Sequence, residues 1–152
     1  MTAPGFLDGY LPYLLRKADQ TLSARFYAVL AEAGVARSEW RVITVLAEHG
    51  GLRVADLATA ALSPQPTVTH ALRRLEERGL VTRTTSPDDR RERLVALTPA
   101  GAALTAELVA EATRLEAEAL AGAGDLSDLM AQLRDLTARL EARAGATEAL
   151  AG

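Results

Sequence analysis

Apolar side chains recur every three or four residues along most of the chain, and this spacing predicts amphipathic helices. A first helix is expected over residues 10–32 and is ended by Gly34. Ser38 is expected to cap a second helix that stops at residues 49–51, and a short third helix is expected over 54–61. The apolar stripe of the first helix consists of Leu11, Leu15, Ala18, Leu22, Phe26 and Leu30.

The period of the pattern changes within residues 63–101. Ser63 is expected to cap a fourth helix with two prolines in its first turn, and Gly79 to close that helix in a left-handed conformation. Leu80–Thr85 and Arg93–Leu97 read as two strands joined by a charged turn. The buried face of the fourth helix is predicted to hold Val68, Ala71, Leu72 and Leu75.

Two long helices complete the pattern. Thr98 is expected to cap a fifth helix that breaks at residues 122–124, and its stripe runs through Leu104, Leu108, Ala112, Leu115 and Ala119. A sixth helix is expected to begin near Asp125, and residues 144–152 are expected to fray. Its leucines alternate steps of three and four, which is a heptad seam: Leu126, Leu129, Leu133, Leu136 and Leu140.

This order of elements is that of a winged helix-turn-helix, in which one helix enters the major groove of DNA and a basic hairpin reaches the minor groove. The predicted fold is therefore mainly α with a small β-hairpin wing. Short polar side chains near the start of the fourth helix suit base contacts: Ser63, Gln65, Pro66, Thr67, Thr69 and His70. Arg73 and Arg74 suit phosphate contacts. The alternative is an ordinary solvated helix face.

The turn between the strands carries Arg90 and Arg91 at its tip, directly after Asp88 and Asp89. A carboxylate beside an arginine can fix the direction of the guanidinium through a bidentate pair. A guanidinium aimed in this way is a suitable probe of a narrow minor groove, although a charged turn is also common as plain surface.

Charge is distributed unevenly around the net value of −3. Residues 70–93 carry seven arginines against five acidic residues, whereas residues 102–152 carry four arginines against nine. Positive charge is therefore concentrated on the reading element, as expected for a protein that approaches DNA with one end only.

The composition excludes several other classes. The chain has no cysteine, so disulfides and thiol chemistry are excluded, and its two histidines, His49 and His70, lie on different predicted helices. No metal site, cofactor or catalytic constellation is therefore expected, and the protein is not predicted to be an enzyme. Neither a signal peptide nor a membrane span is expected, so a cytoplasmic location is predicted.

Residues 35–101 resemble the MarR family of winged-helix transcription regulators. The matching pieces are S-E-W-R-V-I-T-V-L-A-E-H-G, L-R-V-A-D-L-A, Q-P-T-V-T-H-A-L-R-R-L-E-E-R-G-L-V and D-D-R-R-E-R-L-V-A-L-T-P-A-G. The last piece carries the wing signature of that family: an Asp, one residue, an Arg, then a strand ending in Leu-Thr with a Gly three residues on.

The resemblance implies one domain over residues 1–152, with a winged-helix DNA-binding region at 35–98 and dimerisation helices at 10–33 and 99–144. It implies a homodimer on double-stranded DNA with a pseudo-palindromic operator. It also implies that Arg91 is the minor-groove residue and that Asp89 supports the wing. His70 departs from the pattern, because the family often has arginine there.

By the same resemblance, regulation would come from a small aromatic ligand bound between the dimer and DNA-binding regions. The candidate ligand residues are Tyr10, Tyr13, Arg16, Trp40 and Arg41, a set of aromatics and arginines that suits an anionic aromatic compound. The alternative is that Trp40 belongs to the core and that the tyrosines are dimer contacts.

Two functions follow from these patterns. The first is a homodimeric, sequence-specific transcriptional regulator, in particular a repressor that a small ligand releases from DNA. The second is a winged-helix dimer that has lost operator reading and binds a protein through its acidic C-terminal helices. The intact wing signature favours the first.

Overall fold

The computed structural model describes residues 5–151, and the chain divides after Ala117 into two compact units. The mainly α fold with a β-hairpin wing that the sequence predicts is confirmed. A short 3-10 turn, Phe6–Gly9, precedes the helices and strands, which are α1 Leu11–Glu32, α2 Arg37–His49, α3 Val54–Ala60, α4 Gln65–Glu77, β1 Val81–Thr85, β2 Arg93–Leu97, α5 Pro99–Ala119 and α6 Ser127–Ala151.

The core of the first unit lies where α2, α3 and α4 pack against the hairpin and α5. All four residues predicted for the buried face of α4 are buried, and so is Leu57 of α3. Phe26 and Leu30, at the end of the α1 stripe, reach this core, whereas Leu11 and Leu15, near its start, are exposed. α1 therefore contributes only its C-terminal half to the packing within its own subunit.

The end of α4 confirms the predicted glycine stop. Gly79 has a φ of 69°, the left-handed conformation that glycine adopts without strain. The Leu80 N–H donates to the Leu75 carbonyl at 2.9 Å, and the Gly79 N–H donates to the Glu76 carbonyl at 2.9 Å. These two bonds close the helix. Because Leu80 takes part in that closure, β1 starts at Val81 and not at Leu80.

Two of the three predicted N-caps are wrong. α2 begins at Arg37, one residue before Ser38, and the Glu39 carboxylate accepts the free main-chain N–H of Ala36 at 2.8 Å. Ser63 stands before the helix start, and its hydroxyl donates to the Ala61 carbonyl, while Pro64 occupies the cap position of α4. The Thr98 cap is confirmed, because its Oγ1 accepts the Gly101 N–H at 3.1 Å.

The second unit consists of the turn after α5 and the helix α6. Gly122 and Gly124 both have positive φ, as expected for residues that break a helix. α6 begins at Ser127, whose hydroxyl and main-chain N–H both donate to the Asp125 carboxylate and so lower the pKa of Asp125. The helix continues to Ala151, beyond the expected end near residue 144. No helix within residues 5–151 is both long and apolar enough to cross a membrane.

Candidate DNA-binding surface

The outward face of α4 brings together nearly all the residues predicted to contact DNA. The buried residues of α4 hold the helix against the core, which leaves the opposite face in solvent. The exposed residues on that face are Gln65, Pro66, Thr67, Thr69, His70, Arg73 and Arg74. Ser63 is half-buried, and its hydroxyl is already bound to the Ala61 carbonyl. The structure therefore assembles a short polar edge followed by two arginines, without a free Ser63 hydroxyl.

His70 and Arg73 form a pair on this face. The Nδ1 atom of His70 lies 2.7 Å from a terminal guanidinium nitrogen of Arg73. A guanidinium only donates hydrogen bonds, so Nδ1 acts as the acceptor and a neutral His70 carries its proton on Nε2. His70 thus presents a donor, which matches the acceptors O6 and N7 of guanine or O4 of thymine.

The wing turn is shaped by main-chain hydrogen bonds. The Ser86 N–H donates to the Glu92 carbonyl at 2.9 Å, and the Asp89 carboxylate accepts the main-chain N–H of Arg91 at 2.9 Å. The expected carboxylate–guanidinium pair at the tip is therefore wrong, because Asp89 binds the main chain of Arg91. Among the described residues, none forms an ion pair with the exposed guanidinium of Arg90 or Arg91.

A short segment before α3 anchors the base of the wing, and nothing in the sequence pattern indicated this. Leu52 exchanges two main-chain hydrogen bonds with Val95 of β2, at 3.0 and 2.8 Å. Arg53 Nε lies 2.7 Å from Asp56 and 3.2 Å from Glu92. The hydrogen bond from Asp56, with the charges of Asp56 and Glu92, raises the pKa of Arg53. The hairpin is therefore fastened to the helical core at both its strand and its turn.

Three of the seven arginines in residues 70–93 have partners within the protein. Arg74 Nε lies 2.9 Å from Glu39, and Arg83 Nε lies 2.8 Å from Glu76. Arg78 donates to the Gly34 carbonyl at 2.8 Å and so binds the end of α1 to the end of α4. These partners lie on other elements, so counting charges along the sequence missed them and overstated the positive charge available to DNA.

The five candidate ligand residues do not converge on one cavity within the subunit. Tyr10 stacks on Phe6 with ring centroids 4.8 Å apart. Tyr13 and Arg16 line a shallow surface pocket together, whereas Arg41 lines a different one beside α3. Trp40 is half-buried and stands apart from the other four candidates.

Trp40 lines a pocket of about 250 Å³ between α1, α2 and α5, and it packs edge-on against Phe26 with ring centroids 4.8 Å apart. The pocket is lined by Leu22, Ser23, Phe26, Trp40, Val109, Ala112, Thr113, Leu115 and Glu116. These described lining residues include two hydroxyls and one carboxylate but no lysine or arginine. The pocket therefore suits an aromatic ring with a hydroxyl or amino substituent better than a bare anion.

Within residues 5–151, no cluster of three or more His, Asp or Glu side chains could hold a metal ion. His49 lies at the C-terminal end of α2, with its Nδ1 3.1 Å from the Val45 carbonyl. His70 lies on the outward face of α4 and is paired with Arg73. The two histidines thus have separate roles on separate helices.

Comparison with known proteins relates the winged region and the whole fold to one family. A family model described as the MarR family matches residues 35–92. FarR, an HTH-type transcriptional regulator of Neisseria gonorrhoeae, is 37% identical over 94 residues, which are 62% of this chain and 64% of FarR. The chain therefore matches just under two thirds of the length of that relative. Other curated relatives have names that describe transcriptional repressors.

Solved structures extend the similarity to nearly the whole chain. The MarR family transcriptional regulator SPO1453 from Silicibacter pomeroyi DSS-3 is 34% identical with a TM-score of 0.79, and the match covers 90% of this chain and 99% of that one. NadR, solved in complex with 4-hydroxyphenylacetate, is 31% identical with a TM-score of 0.74, over 92% of this chain and 97% of NadR.

Proposed function

The chain belongs to the MarR family of DNA-binding transcriptional regulators, and on that premise we propose that it is a cytoplasmic homodimeric repressor. In this proposal it binds a pseudo-palindromic operator in double-stranded DNA and is released by a small aromatic ligand. The observation that carries the proposal is the pairing of an exposed polar face on α4 with the two wing-tip arginines, Arg90 and Arg91, which have no ion-pair partner among the described residues.

The two parts of this surface have different tasks in the proposal. The first turns of α4 read base edges in the major groove, because Gln65, Thr67 and Thr69 are short enough to let the helix approach closely. The wing tip reaches the minor groove, where Arg91 meets the concentrated negative potential. Residues 35–98 thus form the DNA-binding region.

Exposed apolar residues on α1 and α6 support dimerisation. Near the start of α1, Leu11, Leu14 and Leu15 are between 41% and 47% exposed, and on α6 Leu129 and Leu140 are 50% and 55% exposed. A continuous apolar surface of this kind usually marks a protein interface. The helices in 10–33 and 99–144 are therefore proposed to form the dimer, and twofold symmetry would place the half-sites about 34 Å apart.

Operator binding provides the direct test. We expect the protein to retain the duplex just upstream of its own gene in a gel-shift assay, and to bind far more weakly as salt rises from about 50 to 200 mM, because phosphate contacts release counterions. The control is a scrambled duplex of the same length and base composition. Equal affinity for the two duplexes, or no binding to any duplex selected from a random pool, would favour the protein-interaction module.

Ligand binding has a built-in probe, because Trp40 is the only tryptophan of the chain and it lines the pocket. We expect 4-hydroxyphenylacetate or a related hydroxylated aromatic compound to quench its fluorescence saturably and to release the operator over the same concentration range. Ala112→Leu, which fills the pocket from α5, is expected to abolish both effects while operator binding persists. Release that survives in this variant would place the ligand elsewhere.

A further inference from the structure

Glu39, in the first turn of α2, carries a carboxylate with no solvent exposure. Its Oε2 accepts the main-chain N–H of Ala36 at 2.8 Å and so completes the start of the helix. Its Oε1 has no hydrogen bond with suitable geometry among the described residues, yet the Nε of Arg74 lies only 2.9 Å away. A buried carboxylate requires a nearby cation, and Arg74 supplies it as a close ion pair.

Arg74 reaches this carboxylate from α4, which is the helix proposed to read DNA. Its side chain is 50% exposed, so one edge of the guanidinium faces Glu39 while the rest meets solvent. The neighbouring Arg73 also lies on the outward face and is paired only with His70, a residue of the same helix. Of these two adjacent arginines, therefore, Arg74 ties α4 to α2 and Arg73 does not.

We propose that the buried Glu39–Arg74 ion pair sets the position of the recognition helix on the DNA-binding region, so that both residues act as positioning residues for operator reading. This inference rests on the proposed function. It assigns Arg74 a role other than the phosphate contact expected from the sequence. It also gives operator affinity a determinant, Glu39, that cannot itself touch DNA.

The charge of Glu39 gives this proposal a distinctive sign. Glu39→Gln keeps the oxygen that accepts the Ala36 N–H but removes one negative charge and releases Arg74. If Arg74 were simply a phosphate contact, the variant would bind DNA more tightly or unchanged, because the protein gains net positive charge. If the pair positions α4, the variant binds its operator more weakly despite the gain in positive charge.

The experiment measures the Kd for the operator and for a scrambled duplex by fluorescence anisotropy, at several salt concentrations, for the wild type, Glu39→Gln, Arg74→Gln and the double variant. We expect each single variant to weaken operator binding about 10- to 100-fold and the double variant to be no weaker than the worse single one, because the two side chains act as one unit. For Glu39→Gln, binding to the scrambled duplex should stay the same or tighten, so the specificity ratio falls.

Two matched variants complete the design. Glu77→Gln removes the same charge from an exposed position on α4 and is expected to leave the operator Kd unchanged or slightly lower. Arg73→Gln removes a cation next to Arg74 and is expected to lower the salt slope by about 0.9 if that residue holds phosphate, whereas Arg74→Gln should leave the slope unchanged. Circular dichroism at the assay temperature confirms that each variant is folded.

The inference is overturned if folded Glu39→Gln binds the operator as tightly as the wild type or more tightly, or if Arg74→Gln lowers the salt slope as Arg73→Gln does. Failure of the proposed function looks different, because then the wild type itself would not distinguish the operator from the scrambled duplex. A variant that is unfolded at the assay temperature is replaced by Glu39→Asp, which keeps the charge but shortens the reach and should also lower the specificity ratio.

Discussion

Replacing Gly101 with alanine is expected to destabilise the protein by at least about 3 kcal/mol, the largest effect on folding expected from a single methyl group in this chain. A Cβ at this position would overlap the main-chain oxygen of Leu80 and lie 2.9 Å from its carbonyl carbon. Main-chain atoms cannot rotate away as a side chain can, so α5 or the segment after α4 would have to move.

The place of this overlap gives it consequences for DNA binding. Gly101 stands in the first turn of α5, where Thr98 both caps the helix and donates its hydroxyl to the Gly79 carbonyl at 2.6 Å. The same few residues therefore join the end of the recognition helix, the wing strand and α5. A shift here should also displace the wing, so the operator affinity of any folded Gly101→Ala protein is expected to fall.

Thermal unfolding followed by circular dichroism, at one fixed protein concentration, checks this expectation. A loss of about 3 kcal/mol corresponds to a drop in Tm of about 6–12 °C for a chain of this size. Gly145→Ala is the matched control: Gly145 lies within α6 with no atom near its missing Cβ, so alanine there should stabilise the helix by up to about 1 kcal/mol. Equal Tm changes in the two variants would contradict the packing argument.

Arg91→Ala is expected to weaken operator binding by about 1–3 kcal/mol, roughly 5- to 150-fold, with little change in Tm. The guanidinium is exposed and forms no ion pair with another described residue, so its removal disturbs no packing. The turn that holds it stays intact, because the Asp89 carboxylate binds the main-chain N–H of Arg91, which alanine keeps. The loss should therefore report DNA contact alone.

Two arginine controls separate a minor-groove contact from a general effect of charge. Arg90→Ala removes the same charge from the adjacent residue and is expected to cost less affinity, since the family resemblance assigns the groove to Arg91. Arg139→Ala removes it from α6, where Arg139 pairs with Asp135 at 2.7 Å, and should leave the operator Kd unchanged. If Arg91→Ala behaves like Arg139→Ala, the wing tip does not contact DNA.

Local patterns predicted most of the secondary structure correctly. The buried face of α4, its end at Gly79 and the Thr98 cap each depend on residues within a few positions of one another, and the structure contains all three. The caps at Ser38 and Ser63 failed for a reason that is also physical. A serine near a helix start is only one of several groups that can accept a free N–H, and at α2 the Glu39 carboxylate does so.

Partners distant in sequence account for what the patterns missed. Counting charges assigned Arg74, Arg78 and Arg83 to DNA, but packing brings each beside an acceptor on another element. The bridge between Leu52 and Val95 has the same origin, because a single exchange of main-chain hydrogen bonds leaves no alternation to detect. The separation of Trp40 from the other candidate ligand residues likewise became visible only when their helices were placed.

The sequence by itself determined the order of helices and strands, the face of the recognition helix that meets the core, and the family. These depend on hydrophobic period, on glycine and proline conformation and on short motifs, all of which act over a few neighbouring residues. Only the tertiary structure decided that Glu39 is a buried partner of Arg74, that Gly101 must lack a side chain, and which arginines pair within the protein. Such roles depend on which atoms packing brings within a few ångströms, and separation along the chain does not specify that distance.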